Sequence, residues 1–391
     1  MKKWIALIAG VSMQIALGGV YAWSAFSGLL QKSHGLTKSQ SGLIFGITIA
    51  VFTMTMIPAT KLLNSKGARF TAGIGAILFS LGYLIASFSQ GNFYVLLGGL
   101  GIITGIGIGM GYAAPLVVSM KWFPNNRGLV TGIAVGGFGA GAIILSKFIS
   151  HFANTHSTDV LQIFRYVFMT FGPIAFVASC LLFAPPKQEN QIEGDGKTPI
   201  KHHILNPAFI LFCVGLFAST FAGLLIIGHI KKLAQSMGLA EASAALSISI
   251  YAVGNVFGRI AWGQIHDKIG SRKTILCSLL SLTIPIGLLL LVEPNWQMLV
   301  VIFLIGAGFG SSFIAYASSV VDYFSVDLFA KIYPICFLSY GFAALIGPLV
   351  GGMIADSTGS FKPAIIVSGI TVLAGFIILA LFLPKPSRES N

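Results

Sequence analysis

An all-α fold that crosses a membrane twelve times, as two pseudo-symmetric six-helix halves, is predicted by three features of this sequence. Hydrophobic residues make up 55% of 391 positions and charged residues only 9%, against roughly 25% charged in soluble domains. The apolar residues gather into twelve stretches, each near the ~20 residues that a helix needs to span ~30 Å of hydrocarbon. The chain also repeats itself at an offset of about half its length. Such a polypeptide buries its helices against one another in lipid and has no water-soluble core.

Taken in order, Trp4–Leu30 is too long for the apolar region of a signal peptide and runs on into further spans, so it is read as a retained helix. Gln40–Leu63, Ala68–Gln90, Phe93–Met120, Leu129–His151 and Ile163–Ala184 complete a first half, residues 1–184. Residues 185–206 form the longest hydrophilic interruption, with Pro185, Pro186, Gly194, Gly196 and Pro199, and read as a flexible linker. The second half, residues 207–391, holds Pro207–Ile230, Ala242–Ile265, Thr274–Val292, Met298–Val321, Leu328–Ala355 and Pro363–Leu383. The segment from Gly105 to Phe123 aligns without gaps on that from Gly306 to Phe324, 201 residues later. Asn64-Ser-Lys-Gly67-Ala-Arg69 likewise precedes Asp267-Lys-Ile-Gly270-Ser-Arg272 by 203 residues. Repeats of this kind mark transporters whose site lies near the bilayer midplane between two rocking halves.

The net charge of +13 suggests a nucleic-acid partner at first sight. With the N-terminus inside, however, sixteen of the 24 basic residues fall in cytoplasmic segments and seven in outer ones. This bias places both termini in the cytoplasm, fits a prokaryotic plasma membrane, and excludes nucleic acid in favour of contact with the lipid bilayer. Cys180, Cys213, Cys277 and Cys336 all sit in apolar stretches without a CxxC pair. They read as packing residues rather than as disulfides or a metal set, and no cofactor is expected. Gly105, Gly107, Gly109 and Gly111 superficially suggest a nucleotide loop but lack a βαβ context. With Gly132, Gly136, Gly137 and Gly141 they give small-xxx-small spacings for close helix contact. Gly347-Pro348-x-x-Gly351-Gly352 is expected to bend its helix.

One residue, Arg259, departs from the apolar pattern. It lies eight residues inside Asp267, roughly 12 Å deep at the α-helical rise. Burying a guanidinium there costs about 2.5–3.5 kcal/mol on insertion scales. No acidic residue of the chain lies at a matching depth in the sequence, so the missing anion is read as a substrate. A structural arginine that snorkels or binds carbonyls is the bland alternative. Arginine suits a carboxylate because its fork binds two oxygens and keeps its proton. Asn255 is four residues earlier and therefore shares its helical face, either to orient the guanidinium or to make an interhelical hydrogen bond. No embedded Ser/His/Asp set or metal-spaced cluster points to an enzyme.

Several motifs then carry a resemblance. Gly263-Gln-Ile-His-Asp267-Lys268-Ile-Gly270-Ser-Arg272 resembles the loop signature of the major facilitator superfamily, whereas its first-half copy lacks the glycine and the aspartate. Gly19-Val-Tyr21-Ala-Trp23-Ser24, Lys121-Trp-Phe-Pro124-Asn-Asn-Arg127-Gly128 and Asn255-Val-Phe-Gly258-Arg259 resemble the oxalate/formate antiporter family, which includes bacterial monocarboxylate transporters. The resemblance implies a substrate-contacting tyrosine at Tyr112 and a cytoplasmic latch built on Gly263, Asp267, Gly270 and Arg272. It also implies a second embedded lysine in span eleven for dicarboxylate exchangers. Span eleven here has Lys331 only near its end. Tyr21, Tyr316, Cys336, Phe337 and Tyr340 are candidates for the cavity wall, with packing as the alternative for each.

The expected activity is secondary active transport of a small monocarboxylate such as lactate, pyruvate or formate, by a monomer coupled to protons. The alternatives are an oxalate/formate-type exchanger and a non-transporting sensor. Asp322 and His229 are the titratable groups farthest from the span ends, and His229 is expected at the surface.

Overall fold

A computed structural model of the chain describes residues 2–155, 158–185 and 200–385, and residues 186–199 of the expected linker lie outside the described set. Helix formation throughout follows from long apolar runs whose ends carry capping residues. α1 (Lys2–Gly18) passes through a 3₁₀ turn at Gly19–Ala22 into α2 (Trp23–His34). The tightening coincides with a close approach, because a Cβ on Gly18 would overlap the backbone carbonyl of Phe138. The side chain of Ser24 lies outside the described set. α3 (Lys38–Lys66) opens with a reciprocal capping box between Thr37 and Gln40, which satisfies two helix-end donors. α4 (Ala68–Ser87) follows immediately after Gly67.

The fourth span begins as α5 (Phe93–Leu96), capped by Asn92, widens into a π segment at Leu97–Thr104, and continues as α6 (Gly105–Trp122). α7 (Arg127–Thr155) and α8 (Val160–Cys180) complete this half. The second half comprises the short α9 (Ile200–Ile204), then α10 (Pro207–Ser236), α11 (Glu241–Ile269), α12 (Ser271–Leu289), α13 (Trp296–Tyr323), α14 (Val326–Thr358) and α15 (Lys362–Phe382). Among the described residues there is no β-strand. Among the described residues twelve spans are long and apolar enough to cross a membrane, and every expected span matches one of them. Many large apolar side chains point outward, among them Ile8, Met54, Phe257, Leu349 and Leu381. In water such surfaces would aggregate; in lipid they are solvated.

The described residues form two compact units. The first contains residues up to Pro124 and from Ala134 to the end of α8; the second contains Asn125–Ile133 with all of α9 to α15. The first two turns of α7 thus cohere with the second unit, a division finer than the half boundary expected from sequence.

The repeat survives at the level of individual bonds. Gly67 (φ +86°) separates α3 from α4, and Gly270 (φ +75°) separates α11 from α12; both occupy a backbone region that favours glycine. Asn92 and Asn295 cap the matching spans. Trp122 Nε1 donates to the carbonyl of Phe183 at 2.6 Å. Its counterpart, Tyr323, donates through its hydroxyl to the carbonyl of Pro384 at 2.5 Å. Both donors and both acceptors differ by 201 positions.

The expected bend at Gly347-Pro348 falls inside one continuous helix, α14. His229 is not a surface residue as expected: it is half-buried, its Nε2 lies 2.8 Å from the carbonyl oxygen of Pro348, and its ring packs on Phe361.

Candidate functional site

Arg259 sits midway along α11 and is 1% exposed. Glycine brings it to its neighbours. A Cβ on Gly254 or Gly258 would strike the backbone of Phe303 or Ala307 on α13, and one on Gly306 or Gly310 would strike that of Tyr251 or Asn255 on α11. Side-chain-free positions permit this backbone-to-backbone approach. It carries the Phe313 ring beneath the guanidinium, whose Cζ lies 4.4 Å from the ring centroid. That distance is well within cation–π range. Arg259 Nε donates to Asn255 Oδ1 at 2.9 Å, so the amide orients the charge from one helical turn away. The two anchors hold the Nε side and the face of the group; bidentate carboxylate recognition uses the Nη edge.

The aromatic set continues from Phe313. Tyr340 meets it edge-on at 5.3 Å, Phe337 lies 6.1 Å away, and Phe337 and Tyr340 are 5.1 Å apart. All three are buried. Tyr316 and Cys336 are placed differently. Tyr316 packs on Phe212 of α10 at 6.1 Å, and its hydroxyl, pressed against Gly215, has no hydrogen-bond partner among the described residues. Cys336 adjoins Cys213 of α10. The candidate residues of the second unit therefore divide between an arginine–aromatic group and a pocket of thiols and phenol against α10.

In the first unit, Tyr112 is buried between Phe52 and Phe138, each with its ring centroid 5.2 Å away. Tyr21 meets the same Phe138 at 5.4 Å, so both candidate tyrosines share one ring. Gln14 Nε2 donates to the Tyr112 carbonyl at 3.0 Å, while its own Oε1 is buried without a partner among the described residues. Sequence reasoning missed Gln14 and Phe138. Gln14 had a signal, as an amide inside an apolar helix; Phe138 is one of 31 phenylalanines and had none.

The residues expected to form a latch each have a distinct place. Asp267 accepts from the backbone N–H of Gly128 through Oδ1 at 2.8 Å and from that of Leu129 through Oδ2 at 2.9 Å. Both donors lie at the N-terminus of α7, where unpaired N–H groups and the helix dipole favour an anion. Gly128 and Gly263 allow the approach, since a Cβ on either would overlap the carbonyl of the other. Arg272 turns away from Asp267. Its Nε and Nη2 donate to the carbonyls of Leu383 and Ala380, each at 2.9 Å, closing the C-terminal end of α15. In the first unit Arg69 instead stacks its guanidinium on Phe183, 4.0 Å from the centroid, and Asn64 is exposed.

Beside Asp267 lies a cluster that sequence reasoning did not assemble. His266, 5% exposed, has Nε2 3.2 Å from Asp322 Oδ2 and Nδ1 3.8 Å from Asp267 Oδ1. Ser271 donates its hydroxyl to Asp322 at 2.5 Å. Asp322 is among the titratable groups that the sequence places farthest from the span ends, but nothing in the sequence pairs it with His266, which lies 56 positions earlier.

The sequence model of the Major Facilitator Superfamily matches residues 6–230 and again residues 208–391. An uncharacterized MFS-type transporter, YhjX, of Escherichia coli (strain K12) is 26% identical over 88% of this chain and 86% of its own length. The oxalate:formate antiporter of Oxalobacter formigenes is 22% identical over 99% and 93%, and monocarboxylate transporter 2 of Mus musculus is 24% identical over 95% and 81%. Among solved structures, a Major Facilitator Superfamily transporter, FucP, in the outward conformation superposes with a TM-score of 0.77 at 16% identity. The match covers 98% of this chain and 100% of that one.

Proposed function

Because this chain belongs to the Major Facilitator Superfamily and is a multi-pass membrane transporter rather than an enzyme, we propose that it carries small monocarboxylate anions of the lactate, pyruvate or formate type. Transport proceeds by alternating access, with two six-helix halves, 1–184 and 207–391, joined through 185–206. The observation that carries the reading is Arg259, the one lysine or arginine in the fully buried set among the described residues. Asn255 and Phe313 orient it. A single fixed cation best matches a single negative charge, because a second charge without a counterpart would be costly to bury. The neighbouring Phe313, Phe337 and Tyr340 suit a carboxylate with a short apolar body.

The relatives support the substrate class, since one is an oxalate:formate antiporter and others are monocarboxylate transporters. Oxalate exchange is the second reading, favoured by the antiporter's near-complete coverage of the chain. Against it, the interior of α14 carries no lysine, and Lys331 lies in its second turn. The bias of basic residues supports a plasma-membrane protein with both termini in the cytoplasm. We take the monomer as the transporting unit and protons as the coupling ion.

The test is uptake of labelled lactate, pyruvate, formate and oxalate into proteoliposomes, with and without a pH gradient. Monocarboxylate uptake stimulated by inward acidification is expected. Strict oxalate–formate exchange insensitive to the gradient would transfer the assignment to the second reading.

A further inference from the structure

We propose that His266 is a proton-binding site that controls how firmly Asp267 holds the N-terminus of α7. The inference concerns a regulatory site of the proposed transporter but does not depend on which anion it carries. Two independent observations support it. The first is charge geometry. His266 lies between two carboxylates, Asp322 on α13 and Asp267 on its own helix, and each carboxylate is already engaged. Asp322 accepts from Ser271, and Asp267 accepts from Gly128 and Leu129. The second is an orphaned atom. His266 Nδ1 is buried with no hydrogen-bond partner among the described residues, and it faces Asp267 Oδ1. A bare imidazole nitrogen turned to a carboxylate presents lone pair to lone pair. One proton there converts that contact into an attraction.

The surroundings set the sign. From the elements packed around His266, the titratable or charged groups that face it are Asp267 of α11 and Asp322 of α13. Arg127, at the head of α7, lies close enough to act on Asp322. α12 contributes the Ser271 hydroxyl, Arg272 is turned to Leu383 and Ala380, and Lys268 is exposed. With the imidazole neutral, two carboxylates face one guanidinium and the cluster carries a surplus negative charge. With the imidazole protonated, charges balance. The surplus weakens the cluster and the grip of Asp267 on α7; the proton restores it. Acidity on this side of the membrane therefore favours the engaged latch, and alkalinity favours its release.

The experiment is amide hydrogen exchange of peptides covering residues 125–133, on the full-length protein in lipid nanodiscs without substrate, at about pH 6 and about pH 9. Rates are divided by the intrinsic chemical rate at each pH. Protection of the Gly128 and Leu129 region is expected to be on the order of tenfold greater at the lower pH. His266→Gln keeps a side chain that can donate to Asp322 but cannot take up a proton, and it should flatten that ratio to near one. Asp322→Asn removes the surplus charge of the neutral state and should flatten it too, which provides a second variant if the first does not fold. A wild-type ratio equal to that of His266→Gln overturns the proposal. Because no substrate is present, this outcome is separate from failure of the transport assay.

Discussion

At the scale of single residues, Arg259 combines three requirements of anion recognition: a permanent charge, a fixed orientation and removal from water. Its cost in the membrane is offset locally by the Asn255 amide and the Phe313 ring. Arg259→Lys keeps the charge and loses both the planar fork and the Nε bond. Uptake should fall at least tenfold while insertion and folding persist, as judged by proteoliposome flux and size-exclusion profile; near-normal flux would make the arginine structural. Phe313→Leu keeps apolar volume but removes the cation–π contact, worth about 2 kcal/mol where desolvated. It should raise the KM for the anion more than it lowers the maximal rate, since it loosens a positioned charge without removing it. Equal KM in variant and wild type would count against a positioning role. Tyr340→Lys tests selectivity: a second cation next to Phe313 should increase competition by oxalate, and unchanged competition in a folded variant would remove Tyr340 from the site. Arg259 and Asn255 were legible from sequence because a charge and an amide one turn apart stand out against apolar neighbours. The separation of Tyr316 and Cys336 from that group was not, since it depends on which faces of α13 and α14 meet α10 and helical periodicity leaves that open.

Among the helices, the packing of α11 on α13 decides the site. Gly254, Gly258, Gly306 and Gly310 place backbone directly on backbone. Gly258→Ala inserts a methyl where the backbone of Ala307 lies, and overpacking of this kind costs about 1–3 kcal/mol. Thermal unfolding in detergent should show the loss, and the same variant should lower flux by displacing Phe313 from Arg259. A melting temperature identical to wild type would mean that the helices separate without penalty. The glycines of span four were conspicuous in the sequence and those of α11 less so. Spacing suggested close packing for Gly105–Gly111 and Gly132–Gly141 but was not read so for Gly254 and Gly258, and the partner helix depends on three-dimensional arrangement that spacing does not encode. The 3₁₀ turn at Gly19–Ala22 and the π segment at Leu97–Thr104 were likewise invisible, because both leave hydropathy unchanged.

For the molecule as a whole, the twelve spans and the repeat were legible almost completely, because membrane burial forces every apolar run into a helix of similar length. The loop signature singled out Asp267 and Arg272, but neither the helix end that Asp267 caps nor the diversion of Arg272 to the end of α15 was legible in it. Both charges of the signature therefore bond within the second unit, Asp267 at the N-terminus of α7 and Arg272 at the end of α15. Asp267→Asn retains shape and loses the charge on two hydrogen bonds, with an expected cost of about 1.5–3 kcal/mol. In a background with the four native cysteines replaced, a reporter cysteine at Leu129 should react faster with a membrane-impermeant thiol reagent in this variant, while anion affinity changes little. An unchanged reaction rate would reduce Asp267 to a role in folding or topology.

The backbone contacts between α11 and α13 also bear on how such a protein tolerates change. Where two helices touch through glycine, the positions with the least chemistry of their own are the ones least free to vary. Any residue other than glycine at Gly258 or Gly306 adds bulk to a gap of no width, and a compensating change on the facing strip has nothing smaller to offer. The aromatic residues lining the anion's proposed place are less restricted in stability, since one apolar side chain can replace another of similar volume at modest cost to the fold, whatever the change does to anion binding. Mutational drift in this chain should therefore spread through the residues that meet the cargo and stall at a silent strip of glycines, so that new cargo preferences arise on an unaltered frame.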